Sequence, residues 1–69
     1  MKLLRKVELT CTIEGHNKVW IGELYDTDLV ITRWGKIGAD LQSKEFPDAG
    51  DVFLQKKMVE KVKKGYVFL

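Results

Sequence analysis

The 69-residue sequence predicts an α+β domain, an antiparallel sheet of four to five strands covered on one face by a single α-helix. Three observations carry that prediction. The first half of the chain alternates apolar and polar residues with a period of two, the pattern of half-buried strands. Clusters of turn-forming residues separate those segments at hairpin spacing. Between Asp48 and Gly65 the period changes to that of one amphipathic helix.

Val7, Leu9, Cys11 and Ile13 alternate with Lys6, Glu8, Thr10 and Thr12, which reads as the first strand. Glu14-Gly15-His16-Asn17 is turn chemistry, because glycine and asparagine tolerate positive φ at little cost. A second strand spans Lys18 to Tyr25, and Asp26-Thr27 turns the chain into a third, Asp28 to Trp34. Gly35 and Gly38 bracket a loop before a short fourth strand around Leu41 to Phe46. For the helix, Asp48 is the expected N-cap, with Asp51 completing a capping-box-like pair. Val52, Leu54, Met58, Val59 and Val62 share one arc, the other being filled by lysines, Glu60 and a misfit, Phe53. Lysines gather in the last turn, at the negative end of the helix dipole, and Gly65 follows as the C-cap. Tyr66 to Leu69 reads as a final strand or apolar tail, and its abrupt end suggests the N-terminal part of a longer protein.

Turn lengths set the faces. A two-residue loop at Asp26-Thr27 opposes Leu24 to Leu29, Gly22 to Ile31 and Trp20 to Arg33. A four-residue first turn opposes Cys11 to Trp20, Leu9 to Gly22 and Val7 to Leu24. Both registers put Val7, Leu9, Cys11, Trp20, Leu24, Leu29 and Ile31 under the helix. Trp34 then falls on the open face with Val19, Ile21 and Thr32, and a three-residue loop would reverse this parity.

Composition narrows the function classes. One domain fits this length, and a chain this small buries only about 60% of its unfolded surface. No apolar run reaches the roughly 18 residues of a membrane helix, and the start recharges too soon for a signal peptide. A single cysteine, Cys11, forms no internal disulfide and suits a reducing, cytoplasmic compartment. The net charge of +2 permits an anionic partner. Catalysis finds little to build on: His16 is the only histidine, Cys11 lies on the expected core face, and zinc would lack ligands. Gly35-Lys36-Ile37-Gly38 has neither Walker nor dinucleotide spacing. Neither an enzyme nor a cofactor or small-molecule substrate is expected.

The helix lysines read first as a solvated face. A stronger feature is Arg33-Trp34-Gly35-Lys36-Ile37-Gly38, a large aromatic between two cations in a glycine-flanked loop. An aromatic platform with flanking cations is the usual anatomy of a nucleic-acid end or single-strand site. The alternative is that Trp34 simply packs against Val19 and Ile21. Spacing leaves both open.

Asn17-Lys18-Val19-Trp20, Val30 through Gly38, Gln42-Ser43-Lys44, Glu60-Lys61 and Lys63-Lys64-Gly65-Tyr66 together resemble the WGR domain, in order and over most of the chain. Lys36 stands where the arginine of the family's name belongs. The resemblance implies a sheet with one helix. It also implies DNA binding at breaks, as in DNA-dependent poly(ADP-ribose) polymerases, or a place in bacterial proteins such as molybdate metabolism regulators. ADP-ribosyl transfer is not carried over to these 69 residues. Trp34 would contact sugar or base at a DNA terminus, and Asn17 and Lys18 would lie near the terminal phosphate. The candidate nucleic-acid site is therefore Asn17, Lys18, Arg33, Trp34, Lys36 and Lys44, the last from the matched Gln42-Ser43-Lys44 segment. Lysine at 36 keeps the charge but loses the bidentate fork, which bears on contact with a neighbouring domain. The competing expectation is a protein-docking module that uses Trp34 and a Phe53/Val67/Leu69 surface.

Overall fold

The computed structural model describes residues 1–69. Strands β1 (Leu3–Cys11), β2 (Lys18–Tyr25), β3 (Val30–Lys36) and β4 (Gln42–Phe46) precede helix α1 (Gly50–Lys63), and β5 (Val67–Phe68) follows it. They form one five-stranded sheet in the order β4-β3-β2-β1-β5, with every pairing antiparallel. Helix α1 lies on one face, over β2 and β3. The expected architecture is therefore the observed one. No helix is long and apolar enough to cross a membrane.

The two hairpins treat the expected registers differently. Between β1 and β2 the chain needs a longer connection, with a 3₁₀ turn at Ile13–Gly15 and positive φ at Glu14 and Gly15. Leu9 consequently faces Trp20, and Cys11 faces Lys18. The slip is an even number of residues, so Val7, Leu9, Cys11, Trp20 and Leu24 keep the face assigned to them. Between β2 and β3 the loop has three residues, Asp26-Thr27-Asp28, and Asp28 adopts φ 62°. Asp28 donates its N–H to the Tyr25 carbonyl at 3.0 Å, and Tyr25 donates to Leu29 at 2.9 Å. Such three-residue loops place their last residue in the left-handed region. Asparagine and aspartate tolerate that region better than most residues, which is why Asp28 can stand there.

That odd slip reverses β3. Trp20 faces Trp34, Gly22 faces Thr32 and Leu24 faces Val30. Trp34 is thus under the helix and not on the open face, whereas Ile31 and Arg33 point away from it. The buried core is Leu9, Trp20, Leu24, Val30, Leu54 and Met58, with Trp34, Phe46, Phe53 and Tyr66 half-buried around it.

The helix also departs from its expected frame. Asp48 takes φ 56° and does not cap it; Ala49 holds the cap position without a side-chain bond. Gly50 instead donates its N–H to the Asp28 carbonyl at 3.0 Å, so the β2–β3 loop satisfies one orphan donor. Asp51 pairs with Arg5 at 3.1 Å. Leu54 and Met58 face inward, but Val52, Val59 and Val62 are exposed and Phe53 packs on Phe46, with ring centroids 4.6 Å apart. The helix sits over β2 and β3, so its inward stripe is rotated toward β4 relative to the apolar arc. Gly22 makes the close approach possible: a Cβ there would lie 2.5 Å from Leu54 Cδ1 and 2.8 Å from Trp20 Cη2.

Candidate nucleic-acid interface

Three chain segments meet at one end of the sheet. The 3₁₀ turn delivers His16 and Asn17, and β2 begins at Lys18 opposite Lys36, the last residue of β3. Ile37 donates its N–H to the Asn17 carbonyl at 2.9 Å, which extends the ladder one step past both strands. The third contribution is the end of α1. Gly65, at φ 100°, donates to the Val62 carbonyl at 3.1 Å, and Tyr66 donates to the Lys61 carbonyl at 3.0 Å. These two bonds make a Schellman stop, which reverses the chain and seats Tyr66 beside Lys61. The Lys61 ammonium lies 5.7 Å from the Tyr66 ring centroid.

Together these segments enclose an open depression of about 400 Å³. Asn17, Lys18, Trp34, Lys36, Lys61 and Tyr66 line it, with Gly15, His16 and Gly35 completing the wall. No carboxylate lines it. Lys18, Lys36 and Lys61 form no salt bridge, although four other cations of the chain do. Burial holds the Lys61 ammonium below its usual pKa range, and repulsion from Lys64 and Lys57 adds to this. Burial, with Cys11 alongside, pushes the Tyr66 hydroxyl up, so it stays protonated as a donor at neutral pH. Half-buried Trp34 forms the apolar side. A pocket with several cations, neutral donors and one aromatic wall fits a phosphate joined to a flat or ring-shaped group.

Four of the six residues picked from the sequence meet here: Asn17, Lys18, Trp34 and Lys36. Lys44 lies one step away, on β4 opposite Thr32, and lines an adjoining depression of about 240 Å³. Arg33 is not brought to the site. It sits on the open face, where Nε donates to Glu23 Oε1 at 3.2 Å and Nη2 completes the ion pair at 3.1 Å, and Tyr25 donates its hydroxyl to the same oxygen at 3.4 Å. Arg33 and Trp34 are neighbours along a strand and face opposite ways in any register, so the two could not share a face; the β3 reversal decides only which of them is covered. His16, Lys61 and Tyr66 are not among the six expected site residues, although Lys61 and Tyr66 lie in the segments that resemble the family. Lys61 was within reach, because it follows Leu54 and Met58 at the helical spacing of an inward stripe.

The WGR domain family model matches residues 4–68. No curated protein and no solved structure matches the chain. Nearly the whole chain is thus covered by one family description, and the sheet with its single helix agrees with the architecture expected of it. The chain belongs to the WGR domain family, a family of nucleic-acid-binding modules.

Proposed function

We propose that this domain is a non-catalytic DNA-binding module that engages ends or nicks and serves a larger bacterial regulatory protein in the cytoplasm. The supporting observation is the juxtaposition of Trp34 with Lys18, Lys36 and Lys61, all without carboxylate partners, in one depression at the sheet end. A terminal phosphate would be held by these ammoniums, with the Tyr66 hydroxyl and the Asn17 amide as neutral donors. The exposed part of Trp34 would meet the terminal sugar or base. Because Trp34 also packs on the core, its ring is pre-positioned and loses little freedom on binding. Ends and nicks fit better than continuous duplex, because a recessed aromatic wall is reached only where the stack is interrupted.

A second reading is docking of another protein domain. Of its expected residues Trp34 and Phe53 are half-buried, whereas Val67 and Leu69 at the chain end are exposed, as are Phe68 of β5 and Val59 and Val62 of the helix. Fluorescence titration with blunt, nicked and closed circular duplexes at two salt concentrations separates the two. End binding gives tighter association with blunt and nicked DNA than with circles. Its log affinity falls with log salt by about 0.9 per phosphate neutralised. No binding to ends at low salt would eliminate the DNA reading.

A further inference from the structure

We propose that the depression beyond Trp34 is a second nucleotide subsite, which receives an unpaired nucleotide extending past the terminal base pair. This rests on the reading of the first depression as a DNA-end site, and it deepens that reading by naming the preferred ligand: an end with a single-stranded extension.

Continuity is the first support. Trp34 and Lys61 line both depressions, so the two adjoin at one aromatic and one cation that a strand passing between them would meet. The second is chemistry. Thr32, Phe46 and Trp20 form the interior of the adjoining depression, and Lys44 and Lys57 join Lys61 as its cations, with no carboxylate lining it. Cations with apolar walls are what a phosphate carrying a sugar requires.

The third support is how those cations are held. Lys44 Nζ lies 5.2 Å from the Phe46 ring centroid, Phe46 and Phe53 pack 4.6 Å apart, and Lys57 Nζ lies 5.5 Å from the Phe53 ring. Two ammoniums from different elements are thus seated on a shared pair of rings. Lys44 has no carboxylate partner, and Lys57 has only Glu60 at 3.7 Å. Their positions cost less ordering than free lysines would when a phosphate arrives. On a blunt end the strand stops at Trp34 and leaves these cations unused.

The test measures affinity for blunt duplex and for duplexes with two-nucleotide 5′ or 3′ extensions, at two salt concentrations. One polarity of extension is expected to bind at least about fivefold tighter than blunt DNA, consistent with one added nucleotide contact. Its salt slope should steepen by about 0.7 per added phosphate, the single-strand value. Lys57→Ala should remove that gain and leave the blunt-end affinity in place, while Lys57→Arg should retain it. Lys44→Ala should also remove the gain, and melting curves confirm that each variant is folded. If neither extension gains, or if the gain survives both alanine variants, the second subsite is wrong while end binding stands. If no duplex binds at low salt, both readings fall together.

Discussion

The two faces of the sheet balance their charges differently. On the open face Arg33 meets Glu23 at 3.1 Å and Lys6 meets Glu8 at 3.4 Å, so cations there have anionic neighbours. At the end of the helix-covered face, Lys18, Lys36, Lys44, Lys61 and Lys64 form no salt bridge. Burial holds the Lys61 ammonium below its usual pKa range, and the nearby charges of Lys64 and Lys57 lower it further. A fold gains nothing from such a cluster by itself. The contrast separates charge that helps hold the sheet from charge that awaits a partner, and it puts adjacent residues in different roles. Arg33 belongs to the first kind and Lys36 to the second.

The largest effect tests the frame on which both faces depend. Trp20→Ala should cost about 3–5 kcal/mol, because the ring is buried at the centre of the core. Denaturant melts measure this, and a wild-type midpoint would refute the observed packing. Trp34→Ala should weaken end binding by about 1–3 kcal/mol. It should also lower the melting temperature, because Trp34 packs on the core from the covered face. A loss of binding with no change in melting would instead put Trp34 back on the open face.

Arg33→Ala sharpens the comparison most directly. It leaves the nearly buried Glu23 carboxylate without its guanidinium, at a cost of about 1–2 kcal/mol, yet should leave the salt slope of DNA binding unchanged. Lys36→Ala should do the reverse. Its melt should match wild type, and its salt slope should shrink by about 0.9, one phosphate's worth. If both variants change the slope equally, the division between the faces is false.

The smallest effect concerns Lys61. Folding depresses its pKa below 10.5, so the folded state disfavours the charged form, and this penalty is fully present at neutral pH. It fades as pH rises through the lowered pKa toward 10.5. Lys61→Met should therefore melt slightly higher than wild type at neutral pH, with the gap closing in alkali, while binding DNA less tightly. A variant that melts lower at neutral pH would mean that Lys61 serves the fold.

What could be read from the sequence follows from how each feature is encoded. Strand alternation and the switch to a helical period are properties of many residues at once, so the architecture was legible. Trp20 was assigned to the core because the error in the first hairpin was even. Trp34 was misplaced by one residue of loop length, and Asp26-Thr27-Asp28 contains no glycine to mark its left-handed position. Asn17, Lys18 and Lys36 survived that error, since the end of a strand at which a residue lies does not depend on face. Arg33 did not. The helix stripe was misread because Val52, Val59 and Val62 look like core in any wheel. Only the position of the helix across the sheet reveals that Phe53 packs on Phe46 instead.

Gly22 acts as a shim of zero thickness. Leu54 rests where a β-carbon would be, so the gap between helix and sheet is set at that one position. Lys61 is seven residues farther along the same rigid rod, about 10 Å away. A wedge inserted under Leu54 would tilt the rod and open its far end, carrying Lys61 off the Trp34 wall. Replacing one hydrogen by a methyl group in the middle of the sheet would then loosen the grip at its edge, although residue 22 is absent from the lining of either depression.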